Sequence, residues 1–293
     1  MAYYEWYTRE YICANGVCEK TKYPVRVDGD RSLHTSREYR RQIRRAEKNA
    51  TEAKTEAARS ANDNFRVGVD YLLTATLSPE GLETLTQRAG GCEPDALKDQ
   101  MRKEYQNWIR RAKRRMPEGS FIKAMAWVCD LDGKTGEMVL PHIHVIVNRE
   151  GMEAFASTWK LGYVFGEGKT LYSKHHGDLT DLVEYLMDQA RVTGTEKRYI
   201  PTRNLTKPQA TTPRLARNPD ARLRVPKGAS LICASEQRAG RPQKIRYYRP
   251  EKDRGRDPVM PSGETAPAHN ADGGGTSFAG TGSPSDGEGD GIR

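Results

Sequence analysis

His142 and His144 stand two residues apart in Pro141-His142-Ile143-His144-Val145-Ile146-Val147-Asn148, a stretch otherwise rich in β-branched residues. Side chains alternate faces along a strand, so the two imidazoles share one face while Ile143 and Val145 pack on the other. Separated by about 7 Å at Cα, two neutral imidazoles can converge on one divalent ion. The competing reading is a pair of partly buried histidines satisfied by hydrogen bonds. A His-x-His-x-His hydrolase pattern is disfavoured, because Ile146 occupies the third alternating position.

A phenol downstream offers a nucleophile. In Asp178-Leu179-Thr180-Asp181-Leu182-Val183-Glu184-Tyr185-Leu186-Met187-Asp188-Gln189, the residues Leu179, Leu182, Val183, Leu186 and Met187 form an apolar stripe at helical spacing. Tyr185 lies beside that stripe, either as a packing residue or as a reactive one. A divalent ion beside a phenol and a DNA phosphate makes a coherent machine: the ion polarises the phosphoryl oxygen and the phenolate attacks phosphorus, forming a covalent ester. With an ordinary pKa of about 10, the phenol needs help to lose its proton.

These groups must be positioned by strands and helices. Residues 4–13 and 17–26 read as two strands around the Asn15-Gly16 turn signal. Ser36 caps a predicted helix to about Asn62, whose start carries Arg37, Arg40, Arg41, Arg44 and Arg45. Val69 to Leu77 reads as a strand, Ser78-Pro79-Glu80 opens a short helix, and Pro94 to Met116 reads as a long basic helix with proline in its first turn. Phe121–Leu131 and Glu137–Asn148 pair as a hairpin around Asp132-Gly133-Lys134-Thr135-Gly136. A helix near 150–158, a strand near 161–166 and a helix from Asp178 to about Val192 follow. Strands and helices joined in this way predict an antiparallel α+β domain.

The hairpin offers Asp130 as a third ligand, or as the residue that starts the turn. With the turn centred near Lys134, Asp130 shares the histidine face. The same register sets Ala126 opposite His142, so Asp130 approaches the site only across a bulge. A carboxylate is the hard-oxygen partner that Mg²⁺ or Mn²⁺ favours.

Charge points to the substrate. The chain carries 48 Lys and Arg against 39 Asp and Glu, a net +9, together with 14 tyrosines. Basic surfaces with aromatic groups neutralise phosphates and stack on unpaired bases. Residues 251–293 hold 4 basic and 8 acidic residues, or −4, which leaves +13 on residues 1–250. That Gly/Ser-rich acidic stretch lacks the apolar surface to offset its ordering entropy and is expected to be disordered. No run is long and apolar enough to predict a membrane span, no signal peptide is expected, and five scattered cysteines argue for a reducing cytoplasm. Cys13 and Cys18 have no second cysteine pair to complete a zinc site.

Together PHIHVIV and VEYLMDQ resemble the His-hydrophobe-His motif and the tyrosine helix of HUH endonucleases, and more specifically of the replication initiators of rolling-circle plasmids and filamentous phages. The likeness covers most of residues 5–250 and takes in ANDNF at 61–65, LLTATLSPEG at 72–81, Trp159 with Gly162, and KRYIPTRNLTKP at 197–208. It implies a ferredoxin- or RRM-like HUH core with an antiparallel central sheet and flanking helices. The implied organisation is an N-terminal hairpin and basic helix (1–66) packed on an endonuclease domain with a C-terminal extension (67–250), followed by the tail (251–293).

The same likeness implies metal ligands His142, His144 and Asp130, with Mg²⁺ or Mn²⁺ as the ion and Tyr185 as the single nucleophile. The DNA contacts expected with it are Arg110, Arg111, Lys113, Arg114, Lys174 and Arg203. The implied activity is nicking of single-stranded or hairpin origin DNA, giving a 5′-phosphotyrosine and a free 3′-OH, followed by rejoining. A host helicase and polymerase, in a bacterial cytoplasm, are the implied partners. The family often has lysine three residues after the tyrosine, whereas this chain has Asp188, so Lys174, His175 and His176 are candidates for the missing positive charge. The alternative reading is an origin-binding repressor without catalysis, in which the histidines are structural.

Overall fold

The computed structural model describes residues 3–27, 38–191, 198–218, 220–235 and 242–250, with side chains from 51 onward in the first helix. The expected Ser36 cap, Arg37 and the acidic tail lie outside the described residues, as do the side chains of Arg40, Arg41, Arg44 and Arg45. Five helices and two antiparallel sheets are described, a mixed α+β architecture.

The sheet that carries the histidines contains β3 (Tyr71–Ala75), β4 (Ala124–Leu131), β5 (Met138–Val147), β6 (Val164–Phe165) and β7 (Ile200–Pro201), in the order β6-β3-β5-β4-β7. Its strand β4, AMAWVCDL, is apolar at almost every position because both faces are covered. On one face Ala126, Val128, Ile143 and Val145 pack against Leu97, Met101 and Trp108 of α3 (Pro94–Arg115) and Phe155 of α4 (Met152–Ala156). On the other face Met125, Trp127, Cys129 and Ile146 meet Ala57, Ala58 and Ala61 of α1 (Glu38–Asn64) and Val183, Leu186 and Met187 of α5 (Thr180–Gln189).

Local signals act as expected. Ser78 accepts the backbone N–H of Gly81 at 3.1 Å to cap α2 (Pro79–Ala89), and prolines occupy the first turns of α2 and α3. The Trp159 indole donates to the Thr76 carbonyl at 2.9 Å. Beside it Gly162 adopts φ 152°, and a Cβ there would lie 2.4 Å from the Ser78 nitrogen. Only glycine fits that approach.

The expectation of a single central sheet is corrected by the second sheet. β1 (Tyr3–Ile12) and β2 (Val17–Val27) form the expected hairpin, with Gly16 at φ 94° in its turn. β8 (Gln209–Ala210), β9 (Arg214–Leu215), β10 (Ser230–Ala234) and β11 (Gln243–Tyr248) return to it, in the order β10-β11-β2-β1-β8 with β9 also pairing β1.

The start of α5, α1 and the second sheet are tied by a buried polar knot. Asn62 of α1 donates to Asp178 at 3.0 Å and accepts the Leu179 N–H at 2.8 Å, while Arg246 of β11 pairs with the other Asp178 oxygen at 2.9 Å. Asp178 also accepts the N–H and hydroxyl of Thr180. The start of the tyrosine helix is therefore held by α1 and by the second sheet.

Candidate metal and tyrosine site

Register decides the ligand set. β4 and β5 pair Cys129 with His142, Val128 with Ile143 and Trp127 with His144. The expected pairing of Ala126 with His142 is off by three residues. An odd slip exchanges the faces of a strand, so Cys129 and not Asp130 shares the histidine face. The ligand-capable atoms of Cys129, His142 and His144 all lie within 4.8 Å of one another, and the group could hold a metal ion.

The two rings are perpendicular, with centroids 4.9 Å apart. His142 Nδ1 lies 3.2 Å from the Leu140 carbonyl, which only accepts, so that nitrogen is the donor and Nε2 is the one left to ligate. His144 Nδ1 lies 2.9 Å from the hydroxyl of Thr74, its partner across β3. Such a second contact fixes the orientation of a metal-binding imidazole. Burial, and next the neighbouring His142, push the His144 pKa down from 6.5 to about 3. Burial thus keeps the His144 ring neutral, the form in which an imidazole ligates a metal.

Cys129 is a buried thiol that donates to the Leu186 carbonyl at 3.7 Å, and burial pushes its pKa up to about 12. Sequence reasoning missed Cys129 and Thr74. The signal for Cys129 was its alternation with Trp127, legible only once the strand register is known.

Asp130 turns to the opposite face, at the irregularity between Cys129 and Leu131. Its oxygens accept Lys98 Nζ at 2.7 Å and Arg191 Nε at 2.7 Å, and all but a few per cent of its surface is buried. Lys98, fully buried, also donates to the Arg191 carbonyl at 2.7 Å. The carboxylate expected at the metal instead fastens the end of α5 to β4.

Tyr185 stands on α5, 50% exposed, against the hairpin that carries the histidines. A Cβ on Gly133 would lie 2.6 Å from the Tyr185 hydroxyl, so the glycine makes room for the ring. The next residue, Leu186, is the one whose carbonyl meets Cys129. Asp188, one turn beyond Tyr185, pairs with Lys54 of α1, so a lysine does reach that turn, though from another helix.

The remaining expected residues are dispersed. Lys174 is exposed in the loop before α5, and His176 in that loop stacks on Tyr248 with rings 5.1 Å apart. Arg110, Arg111, Lys113 and Arg114 lie on α3, on the far side of the sheet from the histidines. Arg111 is committed to the Thr158 carbonyl at 3.0 Å, and Lys113 and Arg203 line a cavity of about 340 Å³. No helix among the described residues is long and apolar enough to cross a membrane. Compared with family models, curated proteins and solved structures, the chain matches none.

Proposed function

We propose that this chain is a single-tyrosine, metal-dependent DNA-nicking and joining enzyme that initiates rolling-circle replication through an HUH-type site. One observation carries the reading most. A half-exposed phenol, Tyr185, stands on a helix laid over the strand pair that presents two imidazoles on one face. A phenol serving only to pack would turn towards the apolar stripe of Val183, Leu186 and Met187, which is fully buried.

Tyr185 Oη forms a bond to phosphorus as the bond to the DNA 3′-oxygen breaks. The departing oxygen takes a proton and leaves as a free 3′-OH. The DNA 5′ end stays on the enzyme as a phosphotyrosine, and reversal of the step rejoins strands without an added energy source. The ion at His142 and His144 supplies Lewis-acid polarisation of the phosphoryl oxygen when bound.

The donor set bears on which ion fits. Two imidazoles leave most of the coordination shell to water and phosphate oxygens, which suits Mn²⁺ and, more weakly, Mg²⁺. The Cys129 thiol is protonated and engaged with Leu186, so it acts as a filler beside the imidazoles. A carboxylate contribution from Asp130 is not part of the proposal.

A 3′-labelled single-stranded oligonucleotide with Mn²⁺ or Mg²⁺ tests the reading, because the labelled fragment is the one that stays on the tyrosine. Cleavage with a covalent adduct mapped to Tyr185 is expected. Tight binding without cleavage in either metal would favour the repressor reading.

A further inference from the structure

We propose that the chain carries a duplex-binding groove, separate from the tyrosine site, between the β1–β2 hairpin and the arginine-bearing residues 214–218 and 221–224. It rests on the reading of the chain as a DNA-handling protein, and it assigns to that protein a surface for the phosphate backbone of double-stranded DNA.

The groove has a volume of about 920 Å³ and is lined by Lys20, Arg214, Arg217, Arg222 and Arg224, with Lys22 at its floor. No Asp or Glu lines it, and among the described residues no ion pair engages any of the four arginines. All four are exposed. The nearby acid, Asp220, acts on Lys22, whose ammonium donates to the Ala221 carbonyl and is nearly fully buried. Four exposed arginines that no ion pair engages among the described residues form a strong anion-attracting patch.

The sequence of this segment explains its display. In Arg222-Leu223-Arg224-Val225 charged and apolar residues alternate, and Leu223 and Val225 pack onto Cys18, Ile245 and Tyr247 while the arginines face out. The backbone is fixed as well. Arg214 pairs with Thr8 in strand register, the Ala216 N–H donates to the Trp6 carbonyl at 2.7 Å, and the Leu223 N–H donates to the Gln243 side chain at 3.1 Å. Arg214 therefore sits in a strand, and the stretch bearing Arg222 and Arg224 is fastened to the same sheet by the Leu223 bond and by the packing of Leu223 and Val225, so binding requires little further ordering.

The lining chemistry selects the duplex over the single strand. Single-strand sites combine cations with aromatic platforms on which bases stack. No aromatic side chain lines this groove. A duplex keeps its bases stacked inside and presents phosphates, which is the ligand that arginines alone can hold.

The test measures binding of a labelled mixed-sequence DNA duplex across a salt series. The compared proteins are the full chain, a variant with Arg214, Arg217, Arg222 and Arg224 all changed to alanine, and an equal-charge control with the exposed Lys103, Arg115, Lys160 and Lys169 changed to alanine. The slope of log K against log salt should fall in magnitude by about 3 to 4 in the first variant, since each phosphate left without its cation removes about 0.9. The control should change much less. An arginine-to-lysine version of the first variant should restore most of the binding.

Equal weakening in variant and control would reduce the effect to net charge and overturn the proposal. So would an unchanged slope, or an effect seen only with vesicles containing phosphatidylserine or only with an oligothymidine strand. Nicking of a short single strand is read separately and should be unaffected by the groove variant, while Tyr185→Phe should keep duplex binding. Failure of the groove and failure of the nicking assignment are thereby distinguished.

Discussion

Asp130 grips Arg191 twice, accepting its guanidinium at 2.7 Å and its backbone N–H at 3.3 Å. Arg191 lies just beyond the end of α5, so the strand that carries Cys129 also fixes the C-terminal end of the tyrosine helix. Its N-terminal end is fixed by Asp178, Asn62 and Arg246. Tyr185 thus stands on a helix pinned at both ends by buried charge, which is the kind of support that holds a reacting group in place.

Asp130→Asn is therefore predicted to act on stability rather than on metal. It leaves the buried Lys98 ammonium without its counter-charge, and removing one member of a buried pair typically costs about 3–5 kcal/mol. Denaturant unfolding should show that destabilisation, while the Mn²⁺ affinity of the folded fraction stays unchanged. A second substitution, Lys98→Met, should recover much of the stability. A stable Asp130→Asn protein with weakened Mn²⁺ binding would return the carboxylate to the metal.

Acid should weaken the fold through His144. Its folded pKa lies near 3 and its ordinary value is 6.5, so within that window the unfolded chain binds a proton that the folded chain does not. Stability then rises with pH across the window; it is intact above about pH 6.5 and lost on acidification, by up to about 1.4 kcal/mol per unit from this single group. Urea midpoints measured between about pH 4 and about pH 7 should fall less steeply for His144→Gln than for the parent. Parallel slopes would place the acid sensitivity elsewhere.

The elements were largely legible and their partners were not. The strands around Asn15-Gly16, the Ser78-capped helix, the Pro94 helix and the hairpin of β4 and β5 carry local signals, and they form close to where periodicity places them. Parity was another matter. The loop from Asp132 to Glu137 sets the register of Cys129 with His142, and a three-residue error there moved Asp130 to the wrong face. The second sheet was hidden because β11 pairs with β2 across more than two hundred residues of sequence. Nothing in QKIRYY itself states that partner, although its alternating burial is a strand's.

Removal of the metal should stop the reaction without releasing the DNA. His142→Ala and His144→Ala are expected to abolish cleavage while binding stays near normal, because phosphate contacts come mainly from Lys and Arg. Adding Mn²⁺ to chelator-treated parent protein should restore activity, with Mg²⁺ less effective. Cys129→Ala should keep most Mn²⁺-supported activity if the thiol only fills space. Complete inactivity of that variant, with rescue of the parent by Zn²⁺, would instead make Cys129 a thiolate ligand.

Gly133 gives the most discriminating test of the tyrosine. A methyl group there would meet the Tyr185 ring at 2.6–2.8 Å, and the ring, being half exposed, can swing away. Gly133→Ala should therefore leave stability nearly unchanged but displace the hydroxyl, and misplacement by about 1 Å is enough to slow a positioned reaction about a hundredfold. Tyr185→Phe should remove nicking and the covalent adduct altogether, with fold, duplex binding and Mn²⁺ affinity retained. Single-turnover cleavage compared with unfolding midpoints separates the two effects. If Gly133→Ala nicks at the parent rate and peptide mapping places the adduct on another tyrosine, then α5 presents a bystander and the nucleophile lies elsewhere.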